Sequence, residues 1–252
     1  MDPAGSTFVF CDSLLLVKAG GLEPAGAEAL AELKRSREVQ DDFTVRPQGY
    51  RAVGLAGAAA EAPAGCEWVR VRALVGAESP HAAAACRALG MLNWRAAHRF
   101  CGACGGPMEE HPSEVARTCA ACGRLDYPSL APAVIVRVEK EGKILLAQHV
   151  QRIPDLWTCL AGYVELGESL EDCVRREVKE EAGIDVGDVR YVGSQHWPYP
   201  NQMMIGFRAQ WKAGELKLQP EELSAARWFD PADLPQIPPQ GSMAWRLIRG
   251  AI

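Results

Sequence analysis

The amino-acid sequence predicts an α+β protein built from two mixed domains and a small module between them. Three observations carry this expectation. Strand-like runs bounded by glycine and proline accompany helix-like runs in both halves of the chain. The composition turns abruptly to cysteine and glycine between Phe100 and Tyr127. A chain of 252 residues is long enough for two domains with a short module. The expected boundaries are an N-terminal α+β domain over 1–95, the cysteine module over 96–130 and a C-terminal domain over 131–252.

In the first domain, "YRAVGLAG" and "CEWVRVRALVG" read as strands separated by the Ala/Gly/Pro stretch "AAAEAPAG", and "SPHAAAACRALGMLNWRAAHRF" reads as a helix. The surplus of arginine between Glu67 and Arg99 fits a solvated helix face. In the last domain, "AVIVRVE" and "KILLAQH" are β-rich runs joined by Lys140-Glu141-Gly142, a hairpin signal. "DVRYVGSQHW", "MMIGFRAQWK" and "ARWFD" read as further strands, and "GSMAWRLIRGAI", after the Pro-rich "DLPQIPPQG", as a closing helix.

No run approaches the roughly 20 apolar residues of a membrane span, and the chain opens with an acid where a signal peptide has a basic region. A cytoplasmic protein without membrane partners is expected. The net charge of −5 offers no global attraction for nucleic acid, so a polyanion must be held locally by metal or a few placed side chains. Of nine cysteines, four fall into two C-x-x-C pairs, which suits metal binding in a reducing compartment better than a disulfide framework. The other five, Cys11, Cys66, Cys86, Cys159 and Cys173, read as small buried hydrophobes.

The stretch "GESLEDCVRREVKEEAGI" sets Ser169 three residues before Asp172, a helix start, and ends on Gly183, a helix stop. A helix over 170–182 follows. At about 100° per residue, Leu170, Val174, Val178 and Ala182 line one apolar stripe, while Glu177 and Glu181 fall on the edge of the buried side with Glu180 beside them. A solvated helix face with an Arg176–Glu180 pair accounts for Glu180 alone. Crowded, partly desolvated carboxylates raise one another's pKa or require a cation, and hard oxygen ligands suit Mg²⁺ or Mn²⁺. Glu168 either turns toward the same site or pairs with an arginine to fix the loop.

"FCGACGG" and "RTCAACG" place Cys101, Cys104, Cys119 and Cys122 as C-x2-C, fourteen residues, C-x2-C. Four thiolates in two such knuckles converge tetrahedrally on Zn²⁺ and leave no open position, which marks a structural site.

The acidic stretch meets the whole pattern G-x5-E-x7-R-E-U-x-E-E-x-G-U, with Gly162, Glu168, Arg176, Glu177, Val178, Glu180, Glu181, Gly183 and Ile184, and so resembles the Nudix box. The resemblance implies a Nudix fold, a mixed sheet between helices, and hydrolysis of a nucleoside diphosphate linked to another moiety. The preceding zinc ribbon and "SQHWPYPNQ" are similar to the NADH pyrophosphatase and NAD-capped RNA hydrolase branch, whose signature runs S-Q-P-W-P-F-P-x-S. Ser194, Gln195, Trp197, Pro198 and Pro200 match; His196, Tyr199 and Gln202 depart.

This resemblance implies cleavage of NAD(H) to AMP and nicotinamide mononucleotide, removal of NAD caps from RNA 5′ ends, and a homodimer in which Trp197 acts in trans. It assigns Glu177, Glu180, Glu181 and Arg176 to catalysis, with Glu180 or Glu181 as base and Arg176 orienting the glutamates. It assigns Glu177, Glu181, Glu222 and Ala161 to the catalytic metal. Trp197 is placed near the nicotinamide end and Tyr163 against a base, since stacking on a stiffened ring loses little entropy. Tyr127, Ile135, Gln195, Gln202, Met204 and Ala244 complete the substrate set. Two other readings stand beside this one: a Nudix hydrolase of ADP-ribose or another NDP-X, and a non-catalytic NAD- or RNA-binding module.

Overall fold

A computed structural model describes residues 5–59, 61–150, 153–199 and 201–252. The chain divides into two compact units, the first Met1–Leu130 with Pro198–Asn201, the second Ala131–Trp197 with Gln202–Ile252.

The first unit contains β1 (Thr7–Cys11), β2 (Leu14–Lys18), α1 (Gly26–Leu33), β3 (Val39–Val45), β4 (Tyr50–Leu55), β5 (Cys66–Arg70), α2 (Val71–Gly76) and α3 (Ala82–Ala97). Its five strands run in the order β3-β4-β1-β2-β5, with β1 and β4 parallel. Side chains alternate across this sheet. Phe8, Phe10, Leu15 and Val17 pack with Leu74 and Leu89 of α2 and α3, while Val9, Cys11 and Leu16 pack with Leu30 and Leu33 of α1. "CEWVRVRALVG", expected as one strand, is extended only to Arg70 and then turns helical. Val71, Leu74 and Val75 are buried at helical spacing, but Val69 and Val71 prolong the two-residue alternation and hide the change of period. The cysteine module follows as a three-stranded antiparallel sheet of β6 (Met108–Glu110), β7 (Arg117–Cys119) and β8 (Leu125–Asp126).

The second unit contains β9 (Ala131–Lys140), β10 (Lys143–His149), β11 (Leu160–Tyr163), α4 (Leu170–Ala182), β12 (Asp185–Trp197), β13 (Gln202–Ala213), β14 (Leu223–Phe229) and α5 (Met243–Arg249). The six-stranded sheet is mixed: its order is β12-β13-β9-β10-β14, β9 and β13 are parallel, and β11 also pairs with β9. The β9–β10 turn puts Glu141 (φ 50°) and Gly142 (φ 78°) in the left-handed region, as a tight hairpin requires. One face, with Val134, Val136 and Val138, is covered by Val174, Val178 and Ala182 of α4. The other, with Ile135, Ile144 and Leu146, is covered by Met243, Leu247 and Ile248 of α5. Each fully buried valine or leucine in these layers contributes about 1.5–3 kcal/mol. Among the described residues no helix is long and apolar enough to cross a membrane.

Candidate active site

Helix α4 starts where Ser169 accepts a hydrogen bond from the Asp172 N–H and ends on Gly183 in the left-handed conformation, the limits its sequence indicates. Its apolar stripe docks on the sheet and carries the glutamates with it. Glu181 is 2% exposed, and the Glu177 side chain 12% exposed, whereas that of Glu180 is 53% exposed. Strand β11 runs beside Glu177 so closely that a Cβ on Gly162 would lie 1.9 Å from the Glu177 Cδ and 2.0 and 2.2 Å from its oxygens. Only glycine leaves that space to the carboxylate.

Arg176 ties the cluster together. Its guanidinium reaches Glu168 at 2.7 Å, Glu177 at 2.8 Å and Glu180 at 3.0 Å, and donates to the Tyr163 carbonyl at 2.9 Å. Glu168 therefore pairs with the arginine to fix the loop, and it also accepts from the Glu165 N–H at 2.7 Å. The Arg176 guanidinium and that N–H hold the Glu168 carboxyl down at about 2. Burial pushes Glu177 the other way, above its ordinary value, against the opposing pull of Arg176; the charges of Glu180 and Glu222 add to the rise. Glu222 comes to this neighbourhood through the backbone. The Gln219 N–H donates to the Glu181 carbonyl at 3.1 Å, and the Glu222 N–H donates to the Gln219 carbonyl at 3.1 Å.

These donors fit a hard divalent cation. Glu177, Glu181 and Glu222 offer carboxylate oxygens, and Ala161, without a polar side chain, can offer only its carbonyl. Among the described residues the one group of three or more ligating side chains whose atoms all lie within 4.8 Å of one another is the cysteine quartet.

On the opposite sheet face, Ile135, Met204 and Ala244 pack in one cluster with Ala161 around Met243 and Leu247. Tyr163 is half exposed, and its hydroxyl accepts a hydrogen bond from the Gln202 side-chain amide. Trp197 ends β12 directly across from Gln202. Gln195 turns its side chain to the segment leading into α5. Tyr127 lies in the first unit, where its hydroxyl donates to Glu114 at 2.6 Å. Within the 194–202 stretch, Ser194–Trp197 continue β12, Tyr199 packs against the core of the first unit, and Pro200 lies outside the described residues. Arg137, which sequence reasoning passed over, caps the last turn of α5 by donating to the carbonyls of Leu247 at 3.0 Å and Ile248 at 3.1 Å. Its one signal was an arginine inside the apolar run "AVIVRVE".

In the cysteine module, Cys101 and Cys122 sulfurs stand 3.8 Å apart and those of Cys104 and Cys119 3.5 Å apart. Tetrahedral ligands about 2.3 Å from a common centre are separated by about 3.8 Å, so the quartet fits Zn²⁺. Backbone N–H groups of the knuckles pull the thiols down: that of Ala103 lowers Cys101 and that of Cys122 brings Cys119 to about 6, whereas at Cys104 the Gly106 N–H is outweighed by the Cys119 and Cys122 sulfurs, which push it up to about 12.

The mixed sheet between two helices and the glutamate helix define a Nudix domain, and residues 128–249 match the NUDIX domain family. Residues 96–127 match the NADH pyrophosphatase zinc ribbon domain. Residues 96–249 are thus matched by two domain families in succession, the zinc ribbon of NADH pyrophosphatases and the Nudix domain. The chain is similar to the NAD-capped RNA hydrolase NudC of Stutzerimonas stutzeri, 47% identical over 155 residues, which are 62% of this chain and 56% of that protein. It is also similar to the NAD-capped RNA hydrolase NudC of Salmonella paratyphi C, 45% identical over 166 residues, covering 66% of this chain and 65% of that protein. The match thus spans somewhat more than half the length of these curated relatives. A solved NUDIX hydrolase from Nitrosomonas europaea aligns with 54% of this chain and 80% of its own at 26% identity and a TM-score of 0.47.

Proposed function

We propose that the protein hydrolyses the diphosphate bond of NAD(H) to AMP and nicotinamide mononucleotide, and removes NAD from the 5′ end of capped RNA. The observation that carries this reading is the Glu177 carboxylate, sheltered against Gly162 and gripped by Arg176 on a helix that also buries Glu181. Glu177, Glu181, Glu222 and the Ala161 carbonyl would hold Mg²⁺ or Mn²⁺. When bound, the cations neutralise the diphosphate and acidify the attacking water. Arg176 keeps Glu177 and Glu180 oriented, and Glu180 or Glu181 takes the proton as the water oxygen bonds to phosphorus and the phosphoanhydride bond breaks. Tyr163, steadied by Gln202, offers a face to one base, and Trp197 offers a surface to the nicotinamide.

The names of the relatives, both NAD-capped RNA hydrolases, support the substrate class. The ribbon match over 96–127 and the start of the second unit at Ala131 support a division into an N-terminal domain, a ribbon and a Nudix domain. The cysteine quartet, which needs reduced sulfurs to bind zinc, supports a cytoplasmic location, and the similarity of the 194–202 stretch to the NADH pyrophosphatase signature supports a homodimer. The decisive assay supplies purified protein with Mg²⁺ or Mn²⁺ and compares NADH, NAD⁺, ADP-ribose, dinucleoside polyphosphates and NAD-capped RNA, with products identified. AMP and nicotinamide mononucleotide from NADH, faster than any product from ADP-ribose, is the expected result. Equal handling of ADP-ribose would replace this reading with a general NDP-X hydrolase, and no turnover of any substrate with a binding module.

A further inference from the structure

We propose that Arg137 is a positioning residue: its guanidinium clamps the last turn of α5 to β9 and so sets the wall that Ile135, Met204 and Ala244 present to substrate. Its effect on catalysis rests on the function proposed above. The Arg137 side chain is 12% exposed, and a charge withdrawn from water to this degree is costly unless its donors are engaged. Its Nη1 donates to the Leu247 carbonyl at 3.0 Å and to the Ile248 carbonyl at 3.1 Å. Its Nε pairs with Glu139 at 2.6 Å, and Glu139 in turn accepts from the Gln210 side-chain amide at 2.9 Å. Both carbonyls belong to the last turn of α5, where the helix has no donor of its own left to offer them.

Helix α5 depends on such a clamp because its seven residues are too few to persist alone. Leu247 and Ile248, the residues held, also bury their side chains in the layer that contains Ile135, Met204 and Ala244. Arg137 follows Ile135 by two positions, so both meet the helix from the same face of β9. The helix end is closely fitted: a Cβ on Gly250 would stand 3.3 Å from the Arg208 Nη2 and 3.4 Å from the Arg137 Nη1. Arg208 is the register partner of Arg137 on β13, so the chain closes at Gly250, with φ at 67°, over two neighbouring guanidiniums. Without the clamp the Leu247–Ile248 turn would lift from the sheet, and Ile135 and Ala244 would lose the side chains packed behind them.

The test combines NADH kinetics with amide hydrogen exchange in Arg137→Met, Glu139→Ala, their double variant and Arg249→Ala. Arg137→Met keeps a long apolar stem but donates nothing, so KM should rise about tenfold while kcat stays within about threefold. Exchange over residues 244–250 should accelerate in the same variant. Glu139→Ala, which leaves the guanidinium without its anion, should raise KM about threefold, and the double variant should exceed Arg137→Met by no more than about twofold, because both act through one contact. Arg249→Ala removes an exposed positive charge from the same turn and should change KM and exchange by less than about twofold. A fall in kcat at unchanged KM, unchanged exchange in Arg137→Met, or KM effects that multiply in the double variant would overturn the proposal, as would an Arg249→Ala effect equal to that of Arg137→Met. If Arg137→Met does not fold, Glu139→Ala decides, and KM and exchange both at the parent level would overturn the proposal. Absence of NADH turnover in the unmodified protein would refute the proposed function, and the exchange measurement would still decide whether the clamp exists.

Discussion

Replacing Gly162 by alanine tests the centre of the site without touching a carboxylate. The added Cβ would stand 1.9 Å from the Glu177 Cδ. Nonbonded carbons settle at about 3.5 Å, so one partner must retreat by about 1.6 Å. The Cβ is fixed by β11, whose Gly162 pairs with Val134 on β9, whereas the glutamate is the end of a flexible side chain. Glu177 will move, and its 2.8 Å contact with Arg176 will go with it. Misplacement of a reacting group by about 1 Å can cost 10²-fold. We therefore expect kcat/KM for NADH to fall by at least about 10²-fold, equivalent to about 2.7 kcal/mol at the transition state. Gly162 is not in the left-handed region, so alanine fits the backbone and the fold should survive. The assay is a titration of turnover against Mn²⁺, alongside circular dichroism: the midpoint should move to higher metal concentration at unchanged secondary structure. A folded Gly162→Ala protein with unaltered turnover and metal midpoint would refute the placement of Glu177 at the reacting centre.

Glu181→Gln should leave the fold intact and lower turnover by at least about 10²-fold, read at saturating metal. One zinc per chain should resist mild EDTA and disappear in Cys119→Ser, as elemental analysis will report. Trp197→Ala should reduce kcat/KM for NADH about tenfold to a hundredfold, the loss of a stacking contact of about 1–3 kcal/mol, while ADP-ribose hydrolysis changes little; equal slowing of both would remove Trp197 from the nicotinamide end. The Glu168 carboxyl is depressed in the folded protein from 4.5 to about 2, so its stabilising effect is complete above pH 4.5 and lost as pH falls toward 2. Thermal midpoints should accordingly show Glu168→Gln less stable than the parent near neutral pH, with the gap closing between pH 4.5 and 2.

What the sequence revealed was whatever depends on near neighbours. Helix α4 announces both its ends, since Ser169 and Asp172 act within its first turn and Gly183 closes its last, and helical geometry alone buries Glu181 while leaving Glu180 in solvent. The cysteine quartet is equally plain, because each knuckle is three peptide bonds long. Contacts between distant residues stayed hidden. Gln195 answers to residues 46 and 48 positions away, and Arg137 to one 110 positions away, so no local pattern discloses either role. Tyr199 stands only two residues after Trp197, yet it packs with the core of the first unit. The change from β5 to α2 is hidden for a different reason: Val69 ends the alternation of the strand and Val71, two residues on, begins the i, i+3, i+4 set of the helix, so the apolar pattern shows no break at the junction.

Strand β11 has only four residues, and neighbours on it serve opposite faces of the sheet. Ala161 joins the apolar layer under α5, and Gly162 yields its space to the glutamate on α4. Losing or gaining one residue here would exchange those duties, placing a methyl group against the carboxylate and a void beneath the helix. This part of the chain is therefore held in length as strictly as Gly162 is held in identity, and diversity generated by insertion or deletion has to enter the protein elsewhere.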